Sequence, residues 1–168
     1  DLYFGCNKYL YKINKDGKLI WKYKFDEHIE NIVSPILGSN GEIYLPVQSK
    51  LAAISNEGKL LWKKSSFRVS TLCSPVLDNR ENIYLMNKSG FLYSLKCSGR
   101  KNWEIHFSGV EFGNEVKNSI LNIGRKGALY FGTKDGAFIA VETGSTGLGQ
   151  TDWPVYGRNC QNTSNIIE

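Results

Sequence analysis

The most constraining feature of the chain is a short segment that recurs at a fixed interval. Residues 15–21 read KDGKLIW, residues 56–62 read NEGKLLW, and residues 98–103 read SGRKNW as a degenerate copy. The three tryptophans are 41 residues apart, and each follows a glycine by four positions: Gly17 and Trp21, Gly58 and Trp62, Gly99 and Trp103. Such a period predicts a protein built from repeated supersecondary units.

A second repeated feature, a Leu-Tyr or Ile-Tyr pair, gives a similar period. The pairs begin at Leu2, Ile43, Ile83 and Leu129, in steps of 41, 40 and 46 residues. Several short strands in a unit of about 40 residues are typical of a β-propeller blade. The sequence therefore predicts a single all-β domain over 1–168, a β-propeller with about four four-stranded blades and repeats of about 1–41, 42–82, 83–127 and 128–168.

The predicted strands follow a constant order within each unit. The tyrosine strand is followed by a second strand, a glycine turn suited to a tight hairpin, and a third strand that carries the tryptophan. The last strand is apolar and opens with Ser-Pro at 34–37 and 74–77, and residues 118–121 hold this place in the third unit. Proline is tolerated at the start of a strand, and in a propeller this strand is innermost. Ser34, Ser74 and Ser119 are therefore predicted at the central channel.

The fourth unit departs from this order after its second strand. A glycine-rich segment, residues 143–149, replaces the short turn. Residues 152–156, which include Trp153, are the candidate for the missing tryptophan strand. Residues 163–167 would then supply the inner strand of the first blade, and this closure would protect the sheet edges that an open array exposes.

The tyrosine pairs, the DGKL-x-W turns and the Ser-Pro strands together resemble the PQQ-like (pyrroloquinoline quinone) repeat family of β-propellers. The ending WPVYGRNCQNT, residues 153–163, resembles the WP-x-x-x-x-N-x-Q-N/H-T segment that often starts or ends such proteins. The resemblance implies seven or eight blades, so we expect the chain to be the C-terminal part of a larger propeller. A homodimer that completes the ring and a small four-bladed ring are the alternatives.

Charge and hydropathy narrow the classes of partner. The formal net charge is +5, but the basic residues are spread along the chain and alternate with apolar ones, as in WKYKF at 21–25. This is the pattern of a strand with one solvated face, so we expect no specific nucleic-acid binding. No apolar run approaches about 18 residues, which predicts no transmembrane segment. The resemblance favours a cell-envelope or extracytoplasmic location, with a protein or an envelope polymer as partner.

The sequence predicts no catalytic, cofactor-binding or metal-binding residue. The cysteines (Cys6, Cys73, Cys97, Cys160) form no CxxC motif or adjacent pair, and His28 and His106 have no metal-ligand or triad spacing. The resemblance implies that dehydrogenases of the family hold PQQ between a tryptophan and a vicinal disulfide, with calcium on carboxylate and amide oxygens. The chain lacks the adjacent cysteines and an assignable acidic cluster. The repeat positions are instead predicted to be structural, the tryptophans packing between blades: Gly17, Trp21, Gly58, Trp62, Gly99, Trp103 and Trp153.

These observations favour a non-catalytic β-propeller module that binds a partner through its loops and its channel mouth. A fragment of a PQQ-binding quinoprotein dehydrogenase is the first alternative. A sensor domain attached to an enzyme is the second. Fold alone does not decide among these functions.

Overall fold

The structure, a computed structural model, describes residues 1–29, 33–65, 67, 73–109 and 121–155. In these ranges every regular element is a β-strand, and the strands form four separate antiparallel sheets. Among the described residues no helix is present that could cross a membrane.

The strands of each sheet are neighbours in chain order, so each sheet is a meander, and we call the sheets blades one to four. Blade one consists of β1 (Leu2–Cys6), β2 (Tyr9–Ile13) and β3 (Leu19–Lys24). Blade two consists of β4 (Ile36–Leu37), β5 (Ile43–Val47), β6 (Lys50–Ile54) and β7 (Leu60–Lys64). Blade three consists of β8 (Val76–Leu77), β9 (Asn82–Met86), β10 (Phe91–Lys96) and β11 (Lys101–His106). Blade four consists of β12 (Asn122–Ile123), β13 (Ala128–Gly132) and β14 (Phe138–Glu142).

This architecture confirms the predicted fold class, an all-β chain of propeller-like blades. The four tyrosine pairs lie in β1, β5, β9 and β13, and the two Ser-Pro segments lead into β4 and β8. Each complete sheet begins with the Ser-Pro strand, which pairs with the tyrosine strand that follows it. The sheets are therefore offset by one strand from the sequence repeats, whose bounds remain a prediction.

The inner strand of blade four lies two residues later than the sequence comparison placed it. Ile123 pairs with Leu129 in the way that Leu37 pairs with Ile43, so β12 and not 118–121 is the equivalent of β4. Without a proline to mark the strand start, the Ile-Leu pair at 120–121 was a misleading match. Ser119 lies outside the described residues, so its place at a central channel remains a prediction.

Residues 152–155 form no strand, which corrects the interpretation of 152–156 as the tryptophan strand of blade four. The glycine-rich segment carries the chain away from β14 to the inner strands of the two central blades. There the amides of Leu37 and Leu77 donate to the carbonyl oxygens of Trp153 and Pro154, each at 2.8 Å. Tyr156 and residues 163–167 lie outside the described residues, so closure of blade one by that segment remains a prediction.

The hydrophobic core is divided among the three junctions between successive blades. At each junction the apolar face of one blade packs on the opposite face of the blade before it. Blade two, for example, places Ile43, Leu45 and Ile54 against Leu10 and Phe25 of blade one. Successive side chains of a strand point to opposite faces of the sheet. Because a blade between two others is covered on both faces, its strands carry apolar side chains on both. β5 and β9 accordingly are buried along their whole length.

An ion cluster fixes the connection between blades one and two. Glu27 follows β3, and its carboxylate accepts hydrogen bonds from the ammonium groups of Lys50 and Lys63. The Lys63 Nζ lies 3.0 Å from Glu27 Oε2. The hydrogen bond from Lys50, together with the one from Lys63, lowers the pKa of Glu27 to about 2, although burial acts in the opposite direction. The Glu27 carboxylate in turn raises the pKa of Lys63.

We predict that Glu27→Gln lowers the free energy of unfolding by about 1–3 kcal/mol near pH 7, because two charge-assisted hydrogen bonds are weakened. The folded-state pKa of Glu27 lies below its ordinary value of 4.5. The stabilisation is therefore complete above about pH 5 and is lost as the pH falls towards about 2, so the difference from the wild type shrinks near pH 3. Urea unfolding at the two pH values measures both effects.

Asp26→Asn is the matched control for this substitution. The Asp26 side chain is 97% exposed, and its Oδ2 lies 3.7 Å from the same Lys63 Nζ, so its removal should change stability little. Equal losses in the two variants, or a loss in Glu27→Gln that does not depend on pH, would contradict the assignment.

Candidate functional site

The turn glycine of one blade lies against the tryptophan of the blade before it. A Cβ atom at Gly58 would be 2.7 Å from the Trp21 ring, and one at Gly99 would be 3.0 Å from the Trp62 ring. The φ angles of these glycines are +81° and +79°, in the left-handed region. Both the backbone conformation and the close approach of the ring therefore require glycine.

The indole N–H groups complete the contact. Trp21 Nε1 donates to the carbonyl oxygen of Asn56 at 2.9 Å, and Trp62 Nε1 donates to that of Cys97 at 2.9 Å. Each acceptor lies two residues before the turn glycine. The hairpin of one blade is thus held to the outer strand of its neighbour by a ring contact and a hydrogen bond.

Each repeated tryptophan also contacts the repeated tyrosine of its own blade. The ring centroids of Tyr3 and Trp21 are 6.2 Å apart, those of Tyr44 and Trp62 are 5.9 Å apart, and those of Tyr84 and Trp103 are 5.8 Å apart. An indole held between a tyrosine and the next blade's turn is not a free stacking platform. These contacts favour a packing role for the repeated tryptophans.

The remaining predicted positions have different surroundings. Trp103 packs against the core between blades three and four. Gly17 has the same left-handed conformation, with φ +76°, but beyond its chain neighbours no described atom lies within 4 Å of the position its Cβ would occupy. Trp153 lies by the inner strands and not on an outer strand, since its carbonyl oxygen accepts from Leu37.

A groove of about 820 Å³ lies between the start of blade one and the inner strand of blade two. It is lined by the start of β1, by the segment around β4 and by residues 150–153. Within the described residues β1 pairs with β2 only, so the groove lies where blade one would hold an inner strand. Serine, threonine and amide side chains dominate its polar lining: Ser34, Ser39, Asn56, Gln150 and Thr151.

The serine of the second Ser-Pro segment bonds through its side chain to the backbone of the first. The Ser74 hydroxyl accepts a hydrogen bond from the amide of Ser34 at 3.1 Å, which joins the chain ahead of β4 to the chain ahead of β8. No described histidine lies among the groove residues to activate a hydroxyl. The geometry therefore supports a linking role for the Ser74 hydroxyl.

The described residues do not fit PQQ and calcium. The described cysteines, Cys6, Cys73 and Cys97, are far apart in sequence, so they form no vicinal disulfide. Within 1–29, 33–65, 67, 73–109 and 121–155, no three His, Cys, Asp or Glu side chains cluster in a way that could hold a metal ion. Two of the repeated tryptophans have a ring face covered by a turn glycine. The described residues thus offer neither a vicinal disulfide nor a cluster of metal ligands, and the absence of a cofactor remains a prediction.

Two of the cysteine thiols are protonated near neutral pH. Burial raises the pKa of the Cys73 thiol to about 11. Burial likewise raises the pKa of the Cys97 thiol to about 11. Because the thiolate is the nucleophilic form, neither side chain is suited to covalent catalysis.

The outer strands of blades one and two expose two apolar pairs, which we call the apolar rim patch. Leu19 and Ile20 are 55% and 48% exposed, and Leu60 and Leu61 are 42% and 51% exposed. In sequence, Leu19 lies two residues before Trp21 and Leu60 lies two residues after Gly58, and Trp21 and Gly58 meet at the junction of the two blades. Blade three has Lys101 and Asn102 at the equivalent positions, so among the three blades with a described strand of this kind the patch is confined to blades one and two.

A β-bulge explains why the second residue of each pair points outward. Trp21 pairs with Lys12 while Leu19 pairs with Ile13, so Ile20 is an extra residue on β3. Leu61 is the extra residue on β7, and Asn102 is the extra residue on β11. A bulge disrupts the ladder and blunts the exposed edge of a sheet.

The sequence analysis did not identify the rim patch. The available signal was the break in alternation at Leu19-Ile20 and Leu60-Leu61, where two apolar residues directly precede a tryptophan. In a half-buried strand this pattern indicates a bulge or an exposed apolar side chain.

Comparison with known proteins identifies the repeat class. A family model described as outer membrane protein assembly factor BamB matches residues 5–161. No protein of curated function matches the chain significantly.

Several solved structures are similar to the chain in fold. BamB from Moraxella catarrhalis is 15% identical with a TM-score of 0.63, over 87% of this chain and 42% of that chain. A quinohemoprotein alcohol dehydrogenase from Pseudomonas putida HK5 is 15% identical with a TM-score of 0.65, over 87% of this chain and 31% of that chain. A catalytically inactive virginiamycin B lyase from Staphylococcus aureus is 14% identical with a TM-score of 0.60, over 82% of this chain and 49% of that chain.

Identities this low show the fold alone, and the chain spans less than half the length of each of these three proteins. The family model, in contrast, matches nearly the whole chain. The repeated blades, the tryptophan contacts and this match lead to one assignment: the chain belongs to the PQQ-like repeat β-propeller family of the BamB type.

Proposed function

We propose that the chain is part of a non-catalytic β-propeller that acts as a rigid protein-interaction scaffold in the cell envelope. The observation that carries the proposal is the apolar rim patch. Large side chains that remain half exposed on neighbouring blades are typical of a surface that another protein covers. The envelope location is supported by the family, whose description names an outer membrane protein assembly factor.

The size of the rim patch suits the centre of a modest interface. Burial of a fully exposed leucine or isoleucine side chain stabilises by about 1.5–3 kcal/mol, and these four are about half exposed. Together they would contribute a few kcal/mol, on the order of a small cluster of hot-spot residues. Blade three, with a lysine and an asparagine at these positions, would lie outside that interface.

The rim patch also defines the chemistry of its partner. The bulges at Ile20 and Leu61 lie in the ladders that join the outer strands to β2 and β6, and they bend these strands, which disfavours the addition of a partner strand. Recognition would therefore rest on side chains. Exposed lysines flank both pairs, at Lys18, Lys22 and Lys59, so an apolar segment with acidic neighbours is the expected partner.

We predict that a photo-crosslinking amino acid at position 60 forms an adduct with a second protein in intact cells, whereas the same group at position 101 does not. Leu60 and Lys101 are equivalent positions on the outer strands of blades two and three, so one probe lies within the apolar rim patch and the other lies outside it at the same place in its blade. Gel mobility and mass spectrometry of the adducts provide the measurement.

A second substitution tests whether formation of the adduct depends on the apolar side chains of the rim patch. Leu61→Asn introduces the residue that blade three carries at the same bulge, so the blade should still fold. It should reduce the yield of the position 60 adduct at least several-fold, because the apolar contact is lost. Equal yields from positions 60 and 101, or a yield unaffected by Leu61→Asn, would refute the proposed interface.

The similarity to a quinohemoprotein dehydrogenase makes quinone binding the function to test second. Because the Trp21 and Trp62 rings are covered by neighbouring turns, we expect their fluorescence to be unchanged when micromolar PQQ and calcium are added together. Fluorescence titration measures this directly, with calcium alone as the control. A saturable quench that requires both components would favour the quinoprotein function over the scaffold.

A further inference from the structure

We propose that one end of blades three and four is a surface that docks on the anionic phospholipid headgroups of a membrane. The surface consists of three turns, 78–82, 96–100 and 124–127, which we call the basic turn cluster. It is separate from the apolar rim patch, which lies on the outer strands of blades one and two. The inference does not depend on that patch.

The three turns of the basic turn cluster lie at the same end of the blades. The first and third turns of a four-stranded meander share one end, and in blade three the Cys97 amide joins them by donating to the Glu81 carbonyl oxygen at 3.2 Å. The Asn79 amide donates to the Gly147 carbonyl oxygen at 3.1 Å. A Cβ atom at Gly147 would be 3.4 Å from the carbonyl oxygen of Arg125 in blade four. The cluster is therefore continuous across the two blades.

The basic turn cluster carries a positive charge that the equivalent turns of the other two blades lack. Its three turns contain five basic and two acidic residues, a net charge of +3. The described turns of the same kind in blades one and two, 14–18, 38–42 and 55–59, contain three basic and three acidic residues, a net charge of zero. At this end of the blades the excess of positive charge thus lies on blades three and four.

The two acidic side chains of the basic turn cluster are bound by groups other than its cations. Asp78 is 1% exposed, and its carboxylate accepts hydrogen bonds from two backbone amides of its own turn, each at 2.8 Å. The Glu81 carboxylate accepts a hydrogen bond from the Ser39 hydroxyl of blade two. The ion pairs between described residues use lysines outside the cluster: Lys12, Lys50, Lys63 and Lys101. Within the described part of the chain, the five cations of the cluster therefore have no ion-pair partner.

Arginine is the distinctive cation of the basic turn cluster. All the arginines among the described residues lie in it, and each is exposed: Arg80, Arg100 and Arg125. The remaining basic side chains of the described chain are lysines and histidines. A guanidinium group binds two phosphate oxygens through parallel N–H donors, whereas an ammonium group acts as a point charge. The concentration of arginine in these turns therefore favours phosphate groups as the ligand.

The other residues of the basic turn cluster favour a flat lipid surface over a protein partner. Large apolar and aromatic side chains anchor protein interfaces. Among the described residues, none of the large apolar side chains that are exposed lies in these three turns. Small residues separate the cations instead: Ser98, Gly99, Gly124 and Gly127. A planar layer of headgroups can thus approach the guanidinium groups closely, as expected for basic segments that bind anionic leaflets.

The test is cosedimentation of the purified protein with lipid vesicles. One preparation contains equal parts of phosphatidylglycerol and phosphatidylcholine, and the other contains phosphatidylcholine alone. The double variant Arg80→Gln, Arg125→Gln removes two cations of the basic turn cluster. Its matched control, Lys15→Gln with Lys59→Gln, removes the same charge from exposed turns of blades one and two. All four side chains are exposed, so neither variant should change the melting temperature.

We expect the wild type to bind the vesicles with phosphatidylglycerol more tightly, and added salt to weaken this binding. The arginine variant should bind them about thirtyfold more weakly, since each basic residue at an anionic surface contributes roughly a factor of five. The lysine variant should lose no more than about twofold, because its charges lie outside the contact.

Equal binding to the two kinds of vesicle would overturn the proposal. So would equal losses in the two variants, because binding would then follow net charge and not the basic turn cluster. Competition by inorganic phosphate beyond that of sodium chloride at the same ionic strength would overturn it too, since the ligand would then be a single phosphate ion. The assay contains no partner protein, so failure of the interface at the rim patch would leave its outcome unchanged.

Discussion

The structure depends on the contact between an indole ring and the glycine turn of the next blade. A three- or four-stranded sheet buries too little surface to be stable by itself, so each blade needs its neighbour. The ring over Gly58 or Gly99 sets how closely two blades approach, and the indole hydrogen bond sets their register. The apolar faces then pack at a fixed distance, and the same spacing is repeated along the chain. This rigid arrangement is what makes a surface shared by two blades, such as the apolar rim patch, suitable for recognising one partner.

Much of this arrangement could be predicted from the sequence, since its main constraints are local and repeated. The tyrosine pairs and the Gly-x-x-x-Trp turns defined the strand order, because each strand needs residues that suit its place in the sheet. The inner strand of blade four was misplaced by two residues, since it lacks the Ser-Pro start that marks β4 and β8. The path of residues 147–155 could not be predicted either, as it depends on hydrogen bonds to strands about 70 to 115 residues away. The rim patch was overlooked for a third reason: bulges depend on the register between strands, which a repeat search does not show.

The outer strands show that a side chain can differ from one blade to the next while the backbone stays the same. Ile20 and Leu61 leave their bulges apolar and exposed, while Asn102 donates from its amide to Asn82 and Ser94 within its own blade. The backbone of the bulge is the same in all three cases. A functional surface can therefore be gained or lost at the rim by side-chain replacement alone, with the contacts that hold the blades together left intact.

The path of the chain beyond blade four has a consequence for how the protein is made. Most strand pairs join residues close in sequence, so each blade can form soon after its residues leave the ribosome. The amides of Leu37 in β4 and Leu77 in β8, however, donate to the carbonyl oxygens of Trp153 and Pro154. The Thr151 hydroxyl donates to the carbonyl oxygen of Leu37, 114 residues earlier. Until residues 151–154 are synthesised, the two inner strands offer unpaired backbone groups to any extended segment nearby. Premature release from the ribosome would thus yield a chain whose blades are largely formed and whose exposed inner edges favour aggregation.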